Sequence, residues 1–133
     1  MEISQITVKT TKREEIIDIT NKVYQIIKES NILNGICRVF IPHTTASITI
    51  NENADRNVKI DFLSILKKII PQARAYLHIE GNSDSHVKAS ITGFSQTIIV
   101  QNGNMLLGTW QSLWLCEFDG PRTRKVIITL ESA

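Results

Sequence analysis

Hydrophobic and polar positions along this chain divide it into short, mostly extended segments. From Ile3 to Thr10 the alternation places Ile6 and Val8 on one face and predicts a strand. Ile16, Ile17 and Ile19 lead to Thr20, a residue suited to cap a helix of about Asn21 to Ser30. That helix presents Val23, Ile26 and Ile27 at helical spacing. Asn34-Gly35 then precedes a buried strand from Ile36 to Ile41. Past Pro42, the residues His43, Thr45, Ser47, Thr49 and Asn51 alternate with Thr44, Ala46, Ile48 and Ile50. This reads as a strand whose polar face starts at His43 and continues into Glu52, Asn53 and Asp55. A helix of about Ala54 to Ile69 follows, with Val58, Phe62, Ile65 and Ile69 on one stripe and Pro71 as its stop.

Further on, Ala75 to Ile79 is expected as a short strand carrying His78, and Gly81 to Asp84 as a loop. Ser83 or Asp84 can cap a helix from Ser85 to Thr92 that ends at Gly93, with His86 in its first turn. Free amides at that terminus favour anions and keep a histidine neutral. Ser95 to Val100 and Met105 to Leu107 flank Gln101-Asn102-Gly103, a strong hairpin signal. Trp110 to Phe118 is apolar on both faces, as a central strand requires, and places Trp110 and Trp114 on one face. Asp119-Gly120-Pro121 turns the chain into a final strand from Lys125 to Leu130. Strands dominate and helices fall in the first two thirds, so the pattern is α+β, built on two packed sheets.

At 133 residues the chain suits one domain with a core that needs no disulfide or structural metal. A net charge of +2 is too small to argue for nucleic acid or a membrane surface, and no segment approaches the roughly 20 apolar residues of a span. Cys37 and Cys116 form no CxxC unit and read as buried thiols in a reducing cytoplasm. The N-terminus lacks a secretory hydrophobic region, which also points to the cytoplasm.

The chain has three histidines, His43, His78 and His86, each within a polar segment, and imidazole serves both as metal ligand and as acid or base. Thr44, Thr45 and Asn82 stand beside them as candidate ligand-binding residues. Glu52, Asp55 and Glu117 are candidate proton-transfer groups or outer partners of the histidines, although surface and capping roles fit each carboxylate taken alone. Arg122 and Arg124 share one side of an extended segment and can clamp phosphate oxygens; a solvated hairpin end would look the same. Trp110 with Gln111, after Gly108, can stack on and hydrogen-bond a planar ring, whereas such a tryptophan pair is more often core.

Three blocks carry a family resemblance: Pro42-His-Thr-Thr-Ala-Ser-Ile-Thr-Ile-Asn-Glu-Asn-Ala-Asp55, Asp84-Ser-His-Val-Lys-Ala-Ser-Ile-Thr-Gly93, and Gly108-Thr-Trp-Gln111 with Glu117-Phe-Asp-Gly-Pro-Arg-Thr-Arg124. Together they resemble the YjbQ family, named for a secondary thiamine-phosphate synthase activity, over essentially the whole chain. Ser85 replaces the family's usual alanine before its third motif histidine. The resemblance implies a single domain over 1–133, a distorted sandwich of mostly antiparallel sheets with two to three helices, and a homotrimer. It also implies that the motif histidines fall on His43, His78 and His86 in one polar site.

Two function classes follow. One is phosphate-ester chemistry, in the family's case the joining of a pyrimidine diphosphate to a thiazole phosphate with loss of pyrophosphate, which needs the leaving charge neutralised. The other is a non-catalytic trimeric module holding a metal or small anion. Three imidazoles suit a divalent transition metal such as zinc better than magnesium, and an open position on it would equally serve a hydrolase. The chain has neither GxxxxGK[ST] nor GxGxxG, and no Asp-rich run for magnesium, which weighs against a dedicated diphosphate enzyme.

Overall fold

The structure, a computed structural model, describes every residue except Arg74. Strands β1 (Glu2–Lys9), β8 (Thr123–Ser132), β3 (Gly35–Phe40), β5 (Ser95–Gln101) and β6 (Asn104–Met105) form a five-stranded sheet in that order. Strands β2 (Glu15–Asp18), β7 (Gln111–Glu117) and β4 (Ala46–Glu52) form a second sheet of three. Every pairing is antiparallel. With helices α1 (Thr20–Ser30), α2 (Arg56–Ile69) and α3 (Ser83–Thr92), the α+β class expected from the sequence holds.

Alternation along β7 explains the layering. Leu113 and Leu115 point into a core shared with Val39, Ile98, Val126 and Ile128 of the larger sheet and with Val23 and Ile27 of α1. Trp114 and Cys116 point the other way, into a second cluster with Phe118 and Ala89, against which Val58, Phe62, Leu63 and Leu66 of α2 pack. The smaller sheet is thus buried on both faces, as the apolar run Trp110 to Phe118 requires. Burial pushes the Cys37 thiol up to about 11 and the Cys116 thiol to about 12, and both cysteines are free. Among the described residues no helix is long and apolar enough to cross a membrane.

Most expected elements are found, and the departures have physical causes. The β5–β6 hairpin turns at Asn102 and Gly103, whose φ of 53° and 76° are what a tight hairpin demands. Thr20 is the first helical residue rather than the cap; its hydroxyl and amide both bond Asp18 Oδ1, at 2.5 and 2.9 Å. α2 starts after Asp55, whose Oδ1 accepts from Asn57 N at 2.9 Å. Its contact stripe runs through Phe62, Leu63 and Leu66, leaving Ile65 and Ile69 exposed. Ala75 to Ile79 is not a strand: no neighbour offers it a ladder, and Leu77 and Ile79 are 98% and 97% exposed. α3 begins at Ser83, two residues early, and its N-terminal flank is Asn82, which makes no side-chain cap.

Three times the chain crosses between sheets at one end of the sandwich: β1 to β2, β3 to β4 and β7 to β8. The corners bond one another. Thr10 N donates to Arg122 O at 2.9 Å, Phe118 N to Thr45 O at 3.1 Å and Gly120 N to Arg13 O at 2.9 Å. They sit so close that a Cβ on Gly120 would lie 2.2 Å from Lys12 O, so this position requires glycine.

Candidate functional site

Two of the corners, β3–β4 and β7–β8, together with the N-terminus of α3 and Glu80 before it, border an open cleft of 370 Å³, lined by Pro42, His43, Thr44, Thr45, Glu80, Asn82, His86, Arg122 and Arg124. The β3–β4 corner supplies His43, Thr44 and Thr45. The β7–β8 corner and the start of β8 supply Arg122 and Arg124, and α3 brings Asn82 and His86.

Arg124 is the best-fixed of these side chains. It is only 3% exposed, and its Nε donates to Glu117 Oε1 at 2.8 Å. Its Nη2 donates to Thr45 Oγ1 at 2.8 Å, to Thr45 O at 3.3 Å and to Glu117 Oε2. Nη1 bonds no described residue and is not among the fully enclosed polar atoms left unpaired, so it keeps solvent access at the cleft wall. Glu117 is fully buried; its Oε1 also accepts from Thr10 Oγ1 at 2.7 Å and its Oε2 from Asp119 N at 3.0 Å. A buried guanidinium whose remaining N–H groups face an open cleft is a standing donor for an anionic ligand.

Arg122 is half-exposed and aligned by Asp119, with Nε to Asp119 O at 2.8 Å and Nη2 to Asp119 Oδ2 at 2.9 Å. Asn82 Nδ2 bonds that same Oδ2 at 2.8 Å, while the enclosed Asn82 Oδ1 has no partner among the described residues. Burial alone would raise the Asp119 carboxyl, but the hydrogen bonds from Asn82 and Arg122 outweigh it and hold it below 3.8. His43 accepts from Lys125 N at its Nε2, 2.9 Å away. Its pKa lies below 6.5 because burial and then the Arg124 charge disfavour protonation, against the opposing pull of Glu117. His78 and His86 meet edge to face with ring centres 5.2 Å apart, and His78 Nε2 stands 3.5 Å from Glu80 Oε2.

Seven of the expected site residues therefore share the cleft, Glu117 braces it from behind, and His78 touches it through His86. Four lie elsewhere. Ala46 pairs with Glu117 at the cleft end of the β4–β7 ladder, and Glu52 pairs with Gln111 at the other, roughly 20 Å away at strand rise. There Glu52 Oε2 accepts from Asp55 N at 3.2 Å and Asp55 caps α2. Gln111 Oε1 accepts from Gly108 N at 2.8 Å, and Trp110, 63% exposed, precedes the strand instead of sharing a face with Trp114. The side chains of Glu52, Asp55 and Gln111 each accept from a nearby backbone amide, which accounts for their residue types; Trp110 has no such bond.

Residues 4–133 match the profile of the family described as UPF0047 protein YjbQ-like. The chain belongs to the YjbQ family. A UPF0047 protein of Methanocaldococcus jannaschii is 50% identical over 123 residues, 92% of this chain and 89% of its own. The UPF0047 protein YugU of Bacillus subtilis is 47% identical over 129 residues, covering 96% and 98%. The crystal structure of an uncharacterized YjbQ/UPF0047 family protein from Clostridium acetobutylicum matches with a TM-score of 0.94 at 49% identity, covering 96% of this chain and 99% of that one. A protein of unknown function from Sulfolobus solfataricus matches at 0.95 and 35%, covering 99% and 97%.

In this YjbQ-family chain the three histidines do not fit a shared metal ion as they stand. Among the described residues no group of three or more His, Cys, Asp or Glu is placed to hold one. A ligand must offer a free lone pair, and that of His43 Nε2 is engaged by the Lys125 amide. Sequence reasoning passed over Glu80 and Thr10. A carboxylate two residues after His78 was a usable signal for the first; nothing local marks the second. It also passed over the network that anchors α3. Lys88, fully buried, bonds Glu14 at 2.8 Å and Asp84 at 3.0 Å, and Arg13 bonds Asp84 at 3.0 Å. The Asp84–Lys88 spacing of four on a helix was its sequence signal.

Proposed function

We propose that the cleft binds the phosphate group of a small phosphorylated ligand and serves phosphate-ester chemistry. The observation that supports this most directly is Arg124, which lines the cleft, is held by Glu117 and Thr45 through Nε and Nη2, and has an Nη1 that bonds no described residue. Fixed donors need no reorganisation when negative charge arrives or develops, which is the condition for neutralising a departing phosphate or pyrophosphate. Arg122 adds a second guanidinium at the mouth, and the ten-residue α3 directs its N-terminal dipole to the same place. Thiamine phosphate formation, the activity that the family resemblance brings, is compatible with this reading because both of its reactants carry phosphate. Free, buried Cys37 and Cys116 are in keeping with a reducing cytoplasm.

Inorganic phosphate is expected to raise the melting temperature of the parent protein in the millimolar range, and that of Arg122→Ala/Arg124→Met much less. Differential scanning fluorimetry with chloride-matched controls checks this. Equal shifts in both proteins would reject the cleft as the phosphate site. Binding without turnover of phosphate esters, including the pyrimidine diphosphate and thiazole phosphate pair, would leave a binding module.

The same reading includes a homotrimer. Its support is exposed apolar surface that a neighbouring copy would cover: Leu77 and Ile79 beside the cleft, and Ile3, Phe40 and Ile99 on the outer face of the five-stranded sheet, which no helix of the described residues covers. Sedimentation equilibrium should give about three times the 15.0 kDa chain mass. A monomer at low micromolar concentration would discard it.

A further inference from the structure

His43 sits where the larger sheet loses a strand. β3 leaves its ladder at Phe40, opposite Ile127, so it ends two residues short of Lys125. The His43 ring takes that place, with Nε2 2.9 Å from Lys125 N. A backbone N–H can only donate, so the ring nitrogen facing it must offer a lone pair and carry no proton. A neutral imidazole then holds its proton on Nδ1, and the second nitrogen is fixed as a donor by the bond that the first one makes.

Three side chains of this cleft are therefore tied back by structure while one donor edge stays free: Arg124 through Glu117, Arg122 through Asp119 and His43 through Lys125. We infer that His43 is a fixed Nδ1–H donor to the anion held in the cleft, and not a metal ligand. The donor role rests on the phosphate reading above; the tautomer does not. Metal binding would cost His43 either its bond to Lys125 or its Nδ1 proton. The lowered pKa of His43 is consistent with a neutral ring at neutral pH. Such a donor contributes direction without adding charge. In this cleft each guanidinium already has its own carboxylate, Glu117 for Arg124 and Asp119 for Arg122, and Glu80 adds a further negative charge.

Nitrogen-15 NMR of the histidine rings tests the assignment on the full-length, metal-free protein near neutral pH, first alone, then with inorganic phosphate, then with zinc alone. The expected result is a protonated Nδ1 and an unprotonated Nε2 for His43. Phosphate should move the Nδ1 resonance, and one equivalent of zinc should leave the ring in place. In calorimetric titrations His43→Ala should bind phosphate about tenfold more weakly, the size of one hydrogen bond to a charged group. His43→Asn, whose amide nitrogen can stand in for Nδ1, should recover most of that loss. His43→Gln, which can restore the bond to Lys125 but not the donor, should not.

A proton on Nε2, or a His43 ring displaced by stoichiometric zinc, overturns the assignment. Phosphate that binds the parent and His43→Ala equally, with Nδ1 unmoved, removes the donor role. If the parent binds no phosphate, the phosphate reading falls and the donor role with it, while the tautomer, read on the parent without ligand, is decided independently of any variant.

Discussion

Glu117→Leu is expected to destabilise the fold by about 3–5 kcal/mol, because it leaves the Arg124 charge buried without its counter-ion. The loss goes beyond one pair. Glu117 also accepts from the Thr10 hydroxyl and the Asp119 amide, so all three corners of the sandwich end depend on it. Replacing both partners, Glu117→Leu with Arg124→Met, should restore a large part of the stability, since neither charge then remains to be solvated. Urea unfolding of the two single variants and the double variant supplies the cycle. Additive losses, or a single-variant cost below about 1 kcal/mol, would mean that the pair is solvated or loosely held. Phosphate stabilisation should vanish in the double variant even though its stability recovers, which separates the brace from the binding group.

Trp114→Ala should destabilise by about 3–5 kcal/mol and Trp110→Ala by less than about 0.5 kcal/mol. The two tryptophans are four residues apart on what reads as one strand, yet Trp114 is fully buried and Trp110 is 63% exposed. Trp114 stacks edge to face on Phe62 with ring centres 5.5 Å apart, and its Nε1 donates to Ser112 Oγ at 3.1 Å. Truncation opens a cavity between the smaller sheet and α2 that backbone paired on both sides cannot collapse to fill. Chemical denaturation reports both values directly. Similar losses for the two variants would show that Trp110 is covered in solution, for instance by another copy of the chain.

How far the sequence could be read depended on the range of the interactions involved. β7 was legible because burial on both faces leaves an apolar mark on every residue from Leu113 to Cys116. The β5–β6 hairpin was legible because Asn102-Gly103 satisfies a local backbone demand. Ala75 to Ile79 misled because its apolar residues suggested burial, while a strand exists only where a partner supplies its ladder. In the site, His43, Thr45 and Arg124 could be nominated from sequence, but not their arrangement. Arg124 meets Thr45 across 79 positions, His43 meets Lys125 across 82 and Thr10 meets Arg122 across 112. The polar row from Thr45 to Asp55 looked like one site because it is contiguous; a strand spreads such a row over about 20 Å, and only its first residues reach the cleft.

Strand order has a consequence for the timing of synthesis. β8 follows every other strand in sequence, yet it lies between β1 and β3, and it carries Arg124 together with the amide that orients His43. While the chain is emerging from the ribosome, β1 and β3 have no partner that links them, and the smaller sheet can assemble ahead of the larger one. The cleft is completed only when β8 inserts, so a nascent chain stalled before Thr123 exposes unpaired edges on both neighbours and lacks the cleft. Completion of the cleft and escape from aggregation therefore arrive in the same late step.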